Sequence, residues 1–415
     1  MSMNQTQNWF GNIPNTWRTV PLWTVLRPRK NKNSEGSEQN LLSLSYGKIK
    51  RKDIETKTGL LPESFNGYNI IEAGDIVLRL TDLQNDMRSL RTGLAKEHGI
   101  ITSAYLTLFP YRNDSSEYLQ YLLHCYDIMK GFYNMGEGIR QGLGYDELSK
   151  LSLCLPSPTE QSRIAAFLDD RCAKIDEAIA RHQALIGKLD EYKNALIVFT
   201  ATHGVYTHKT KTVNLDWLHE MPQDWDIALL SQLYVPVKCK NSGLIETNLL
   251  SLSYGKIKQK DIENNEGLVP ANFEGYNIIE NDDIVLRLTD LQNDQKSLRV
   301  GISTQRGIVT SAYVTIRPKQ KLCSKYFYYL LHSFDICKGF YGMGGGIRQG
   351  LNWDELKFVK LLLPSFNEQT AIVTFLDEKC AAIDSAKERH TQLIAKLEEQ
   401  KKSLIYNAVT GKIEC

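Results

Sequence analysis

The chain states its plan twice. Residues 9–202 align with residues 217–410 at a constant offset of 208, with no insertion in either copy. LLSLSYGKIKRKDI (41–54) returns as LLSLSYGKIKQKDI (249–262), identical at 13 of 14 positions, and VLRLTDLQND (77–86) returns unchanged at 285–294. Like sequences reach like local structures, so the chain must build two equivalent units. A length of 415 residues gives each its own core. Two equal units perform one physical task at two places. Duplex DNA, with its antiparallel strands, presents two equivalent places at a fixed distance.

Bulk properties exclude more than they select. The opening MSMNQTQNWF is polar and lacks the basic-then-apolar pattern of a secretory signal. No run of 18 apolar residues occurs, so no membrane span is expected and the cytoplasm is the expected location. The net charge of +2 neither indicates nor excludes nucleic acid, which needs a basic patch rather than a basic total. The eight cysteines form no C-x-x-C, and Cys125 and Cys154 face Ser333 and Leu362 in the other copy. A disulfide framework or metal site would have been copied with the repeat. Only Cys172 and Cys380 match, which predicts reduced, buried thiols and no metal site.

Each copy has two parts. The first, roughly 10–156 and 218–364, carries short strand-like runs (LLSLSYG, DIVLRL, SAYLTLF, LSLCLP) between Gly, Asn and Asp turns. One helical stretch, residues 116–132, interrupts them. The second part is a long helix. Leu168, Ile175, His182, Leu189 and Leu196 are seven apart, as are Leu376, Ile383, His390, Leu397 and Leu404. Ile164, Cys172, Ile179 and Ile186 add a second seam, and the charged flanks argue a coiled coil. Thr159 after Pro158, and Asn367 in the second copy, are the expected N-caps. The seam histidines are expected to set register rather than bind metal. Antiparallel packing of the two helices would relate the copies by a pseudo-two-fold axis. A single end-to-end rod would instead give a direct repeat.

Comparing the copies sorts candidate contacts. Tyr46, Lys48 and Lys50 recur as Tyr254, Lys256 and Lys258, while Arg51 becomes Gln259. Arg79, Gln84 and Asn85 recur as Arg287, Gln292 and Asn293; Arg88 becomes Lys296, and Arg91 stays as Arg299. Arg, Gln and Asn make bidentate contacts to guanine and adenine edges. The interchanging Arg51, Arg88 and Lys296 suit phosphates, which position a protein without carrying sequence information. MGEGIRQGL (135–143) and MGGGIRQGL (343–351) add Arg140, Gln141, Arg348 and Gln349 on a glycine-rich segment that allows close approach. For each of these residues a solvated turn is the competing reading.

No constellation for catalysis is visible. There is no P-loop, no H-E-x-x-H and no N/D-P-P-Y/F. Glu55-Thr56-Lys57 after Asp53 mimics a nuclease E-x-K, but the second copy reads Asp261, Glu263, Asn265 and loses the lysine.

Five features together resemble the specificity subunit of Type I restriction–modification systems. Pro-x-x-Trp opens each copy (Pro14/Trp17 and Pro222/Trp225). Gly74-Asp75 precedes Ile-Val, with Asp282-Asp283 in the second copy. R-Q-G-L precedes Asp-Glu-Leu, and L-P…E-Q…F-L-D…I-D opens each helix. Ala-Val-Thr-Gly (408–411) ends the repeat, where the central linker departs with Ala201-Thr202-His203-Gly204. The resemblance implies an α+β protein with two mixed α/β target-recognition domains, residues 1–157 and 204–365. Two long antiparallel coiled-coil helices, 158–203 and 366–415, would separate them. It implies a bipartite site on double-stranded DNA, two methyltransferase subunits acting at adenine N6, and two restriction subunits. S-adenosylmethionine, ATP and Mg would belong to those partners, leaving this chain non-catalytic and without cofactor. Because these readers are near copies, an interrupted palindrome is the expected target. A self-contained modification or cleavage enzyme and a DNA-independent coiled-coil scaffold stay open as alternatives.

Overall fold

A computed structural model describes residues 9–54, 64–83, 90–135, 142–260, 272–291, 294, 298–341, 343 and 350–415. The chain divides into two compact units, Met1–Gln183 with Thr391–Cys415, and Ala184–His390.

In the first unit a four-stranded antiparallel sheet runs in the order Leu26–Pro28, Leu106–Pro110, Ile76–Leu78, Thr92–Leu94. Two-stranded pairs flank it: Arg18–Pro21 with Ser152–Leu155, Leu42–Ser45 with Lys48–Arg51, and Asn69–Ile71 with Gly99–Ile101. Ile76–Leu78 explains the layering, because side chains alternate across a strand. Ile76 and Leu78 enter the main core, and Val77 enters a smaller one with Leu42, Leu44, Ile71 and Ile101. The helix Ser116–Ile128 buries Tyr118, Leu119, Leu122, Leu123 and Tyr126, the i, i+3, i+4 spacing of one helical face. Ser115 caps it by accepting from the Tyr118 N–H at 3.2 Å.

The second unit repeats these elements. Its sheet order is Tyr234–Pro236, Val314–Pro318, Ile284–Leu286, Val300–Ile302, and its helix is Ser324–Ile336. A further hairpin, Thr210–Leu215 with Leu218–Pro222, precedes them.

The long helices are Pro158–His203 and Phe366–Val409. Their caps differ from the expected Thr159 and Asn367. Ser157 Oγ accepts from the Glu160 N–H at 3.4 Å, and Ser365 Oγ accepts from the Glu368 N–H at 3.3 Å. Proline tolerates the first helical position, where its missing N–H is not needed, so the first helix starts at Pro158 itself. Within the first unit, Ile164, Leu168 and Cys172 share a core with Ile405 and Ala408, and Lys401 Nζ lies 2.6 Å from Asp176 Oδ1. Numbers rise along one helical segment as they fall along the other, so the two run antiparallel. Within the second unit, Lys193 Nζ lies 2.7 Å from Asp384 Oδ2, and Lys387 pairs with Asp190, again antiparallel. Cys125, Cys154, Cys172 and Cys380 are buried, but Cys239 and Cys337 are exposed. The matched pair Cys172 and Cys380 is buried as expected; the two exposed thiols occupy the positions of Asn31 and Met129, a polar residue and an exposed one, so burial is not required there.

Candidate nucleic-acid interface

The hairpin of the first repeated motif projects a defined face. Ser43 pairs with Lys50 and Ser45 with Lys48, which leaves Tyr46-Gly47 as a two-residue turn. Their φ angles of 47° and 75° are both positive, as a type I′ turn requires. Leu42 and Leu44 point into the small core, and Lys48 and Lys50 are exposed. A tyrosine in left-handed conformation costs roughly 1–2 kcal/mol where Asn or Gly would not. The second unit repeats the strain, with Tyr254 at φ 47° and Gly255 at φ 74°.

The loop after Ile76–Leu78 is shaped by a buried arginine. Arg91 is 0% exposed. Its guanidinium donates to the carbonyls of Arg79 (3.1 Å), Thr81 (2.8 Å) and Asp82 (3.3 Å) and to Tyr133 Oη (3.0 Å). Its own N–H donates to Asp127 Oδ2 at 2.5 Å. Arg299 is equally buried and donates to Arg287 O, Thr289 O, Asp290 O and Tyr341 Oη. Sequence reasoning placed Arg91 and Arg299 among DNA contacts, and the structure corrects this. A guanidinium sealed from solvent, with its fork of donors spent on loop carbonyls, holds the loop and does not reach a partner.

Three segments singled out by sequence meet here. A Cβ built on Gly47 would stand 3.2 Å from Leu90 Cβ and 3.4 Å from Thr92 O, so the hairpin turn abuts the end of the arginine loop. Leu143 N–H, at the end of the glycine-rich segment, donates to Leu80 O at 2.9 Å. In the second unit, Gly255 N–H donates to Leu298 O at 3.1 Å and Leu351 N–H to Leu288 O at 2.9 Å. Lys48, Lys50, Lys256 and Lys258 are exposed around this junction, with Arg79 and Arg287 half-buried. Lys48 Nζ stands 3.8 Å from Asp176 Oδ2, and Arg287 Nη2 stands 3.8 Å from Asp294 Oδ2. Gln84, Asn85, Arg88, Arg140, Gln141, Gln292, Asn293, Lys296, Arg348 and Gln349 lie outside the described residues, as do Glu55, Thr56 and Lys57.

Arg51 is exposed and paired within the chain. Its Nε donates to Glu97 Oε2 at 2.7 Å, and the guanidinium holds that carboxyl below the usual carboxylate range. In the second copy both partners change together, to Gln259 and Gln305. The substitution therefore follows an ion pair within the chain, although the Arg51 side chain stays exposed.

Sequence analysis named the opening tryptophans and the E-Q pair only as motifs; the structure joins them at the start of each long helix. Trp17 Nε1 donates to Glu160 at 3.3 Å and Trp225 Nε1 to Glu368 at 2.9 Å. Gln161, fully buried, accepts from Ser115 N–H at 2.9 Å and donates to Asp114 and to Pro156 O. Gln369 likewise accepts from Cys323 N–H and donates to Pro364 O. The E-Q pair thus ties the long helix to the opening tryptophan and to the short helix. Its recurrence at 368–369 was the available signal.

His208, Asp224 and Glu368 are the one set among the described residues with ligand atoms mutually within 4.8 Å. Each is already engaged. His208 Nε2 meets Glu368 Oε1 at 2.7 Å, its Nδ1 meets Asp224 at 3.0 Å, and Glu368 Oε2 accepts from Trp225. The equivalent of Asp224 is Thr16, so the set is not repeated.

Comparison with known proteins agrees with this architecture. Residues 239–399 match the family model of the Type I restriction modification DNA specificity domain. The chain is 23% identical to the type I restriction enzyme MjaX specificity subunit of Methanocaldococcus jannaschii, over 97% of this chain and 95% of that protein. It is 25% identical to the EcoBI specificity subunit of Escherichia coli, over 63% and 58% of the two chains. A chain from a structure of type I R-M complex assembly shares the fold, with a TM-score of 0.69 at 14% identity, covering 97% of this chain and 100% of that one. The HsdS subunit of Thermoanaerobacter tengcongensis gives a TM-score of 0.51 at 14% identity, covering 97% and 98%. Residues 239–399 thus match the Type I restriction modification DNA specificity domain, and along nearly its whole length the chain is similar to a Type I restriction enzyme specificity subunit.

Proposed function

We propose that each unit reads one half of a bipartite site in double-stranded DNA, so that the chain aims partner subunits at that site. The observation that carries this is the meeting of three copy-to-copy repeated segments at one junction, in both units. Exposed lysines on the hairpin supply phosphate contacts, and the loop held by Arg91 or Arg299 presents Arg79 or Arg287 toward bases. The antiparallel helix segments in each unit support a reading in which the two readers meet the duplex in opposite senses. Near-identical readers then select an interrupted palindrome, with the two half-sites on opposite strands.

In this reading the chemistry belongs to partners. Two methyltransferase subunits carry S-adenosylmethionine and methylate adenine N6 on a flipped base, and two restriction subunits use ATP and Mg. This chain holds no cofactor of its own and works in the cytoplasm. Among the described residues no helix is long and apolar enough to cross a membrane.

Methylome sequencing of the host with and without this gene tests the reading. The expected result is loss of one adenine-methylated motif made of two inverted, identical half-sites. An asymmetric motif would overturn the palindrome, and an unchanged methylome would overturn the function.

A further inference from the structure

The Tyr46 and Tyr254 turns point to a contact that the basic residues alone do not supply. Resting on the DNA-reading function above, we propose that each turn enters a groove of the duplex. There the tyrosine ring packs on a base or deoxyribose, while Lys48 and Lys50, or Lys256 and Lys258, hold the flanking phosphates.

Four observations carry this. Tyr46 is 76% exposed and Tyr254 is 73% exposed, so neither ring is used by the fold. Both sit at φ 47°, in the turn position that Asn or Gly fills without strain, so stability does not account for tyrosine there. The face beside the ring pairs Ser43 with Lys50 and Ser45 with Lys48, small and cationic residues with no carboxylate among them. The nearest acid paired with that face is Asp176, 3.8 Å from Lys48, within reach of exchange for a phosphate. A two-stranded ribbon of this width fits the major groove, and side chains wedged against bases stabilise many protein–DNA contacts. The turn is identical in both units, whereas Arg51 and Gln259 just beyond it differ.

The test uses the full chain assembled with its methyltransferase partner. Binding is measured by fluorescence anisotropy on duplexes with a randomised core and on the site selected from them. The paired variant Y46N/Y254N keeps the turn and removes the ring; Y46F/Y254F keeps the ring. The Asn variant is expected to unfold at the same or higher temperature, yet to bind the selected site on the order of tenfold more weakly. The Phe variant is expected to stay within about threefold of the parent, since it retains the packing surface. Should the Asn pair fail to fold, the Gly pair, equally suited to the turn, gives the same readout. Unchanged affinity in the ring-less variant overturns the tip contact and leaves the function standing. A parent protein that binds no duplex overturns both.

Discussion

Arg317 grips Asp283 with two prongs, Nε to Oδ1 and Nη2 to Oδ2, both at 2.7 Å. In the first unit the equivalent carboxylate, Asp75, is held from the residue that follows a neighbouring strand, Leu26–Pro28. Arg29 Nη2 reaches Asp75 Oδ1 at 2.9 Å, and Phe109 stands where Arg317 would be. Val237 occupies the position of Arg29. The two strands are neighbours, so either can deliver the cation to a carboxylate that is 1% exposed in both units. The fold requires a positive charge at that point but does not specify which strand supplies it.

Removing the cation strands a buried carboxylate. Arg317→Ala should lower the stability of the second unit by roughly 2–4 kcal/mol. The transposed variant Val237→Arg/Arg317→Phe should recover most of that. Urea denaturation of the three proteins checks this, and no recovery in the double variant would mean that strand position matters after all.

The buried clamp gives a second expectation. Arg91→Lys keeps the charge but loses the planar fork that serves three carbonyls and Tyr133. A loss of at least about 3 kcal/mol is expected, since each hydrogen bond from a charged group contributes about 1.5–3 kcal/mol. Hydrogen exchange should show the loop opening. Weaker DNA binding with unchanged stability would restore Arg91 to the contact list.

His98 makes the units differ in pH response. It lies between Glu72 (2.9 Å) and Glu38 (2.8 Å), where the second unit places Arg306 between Glu280 and Glu246. The Glu72 hydrogen bond, then the charges of Glu72 and Glu38, raise the His98 pKa against the opposing effect of burial. A raised folded-state pKa means that the stabilisation is complete below the unfolded value and is lost as pH rises through the folded one. Thermal midpoints should therefore fall as pH rises past neutrality, and His98→Arg should remove that slope. Parallel slopes in parent and variant would refute the assignment.

Asp335, in the second unit, responds with the same sign in a more acidic range. Burial lifts its pKa to about 6, against the opposing effects of the Arg299 N–H hydrogen bond and the Arg299 and Lys338 charges, while Asp294 adds to the rise. The folded state then binds the proton more tightly than the unfolded chain. Stability from this group increases as pH falls from about 6 toward the ordinary carboxylate range. Asp335→Asn should abolish that increase, which denaturation at several acidic pH values would measure.

Local pattern made much of this legible. Seven-residue spacing located both long helices, and period-two runs located the strands at Leu42–Ser45, Ile76–Leu78 and Ser152–Leu155. The N-cap was misplaced from Ser157 to Thr159 because Pro158 reads as a boundary although it lies inside the first turn. Arg91 was misassigned because an arginine repeated among polar residues looks the same whether its head faces solvent or carbonyls. The ion pair behind the Arg51 substitution was not legible because its partner Glu97 is 46 residues away.

Duplication, helix periodicity and the helix-opening motifs determined two matched units, two long helices and the resemblance to Type I specificity subunits, since these signals lie in neighbouring residues and need no knowledge of what packs across the sheet. Which cations are free for a partner was decided only by tertiary structure. Whether Arg91 is sealed and Lys48 exposed depends on which carbonyls and carboxylates distant segments bring within hydrogen-bond reach. Burial and pairing are properties of three-dimensional neighbours, and sequence spacing does not encode them.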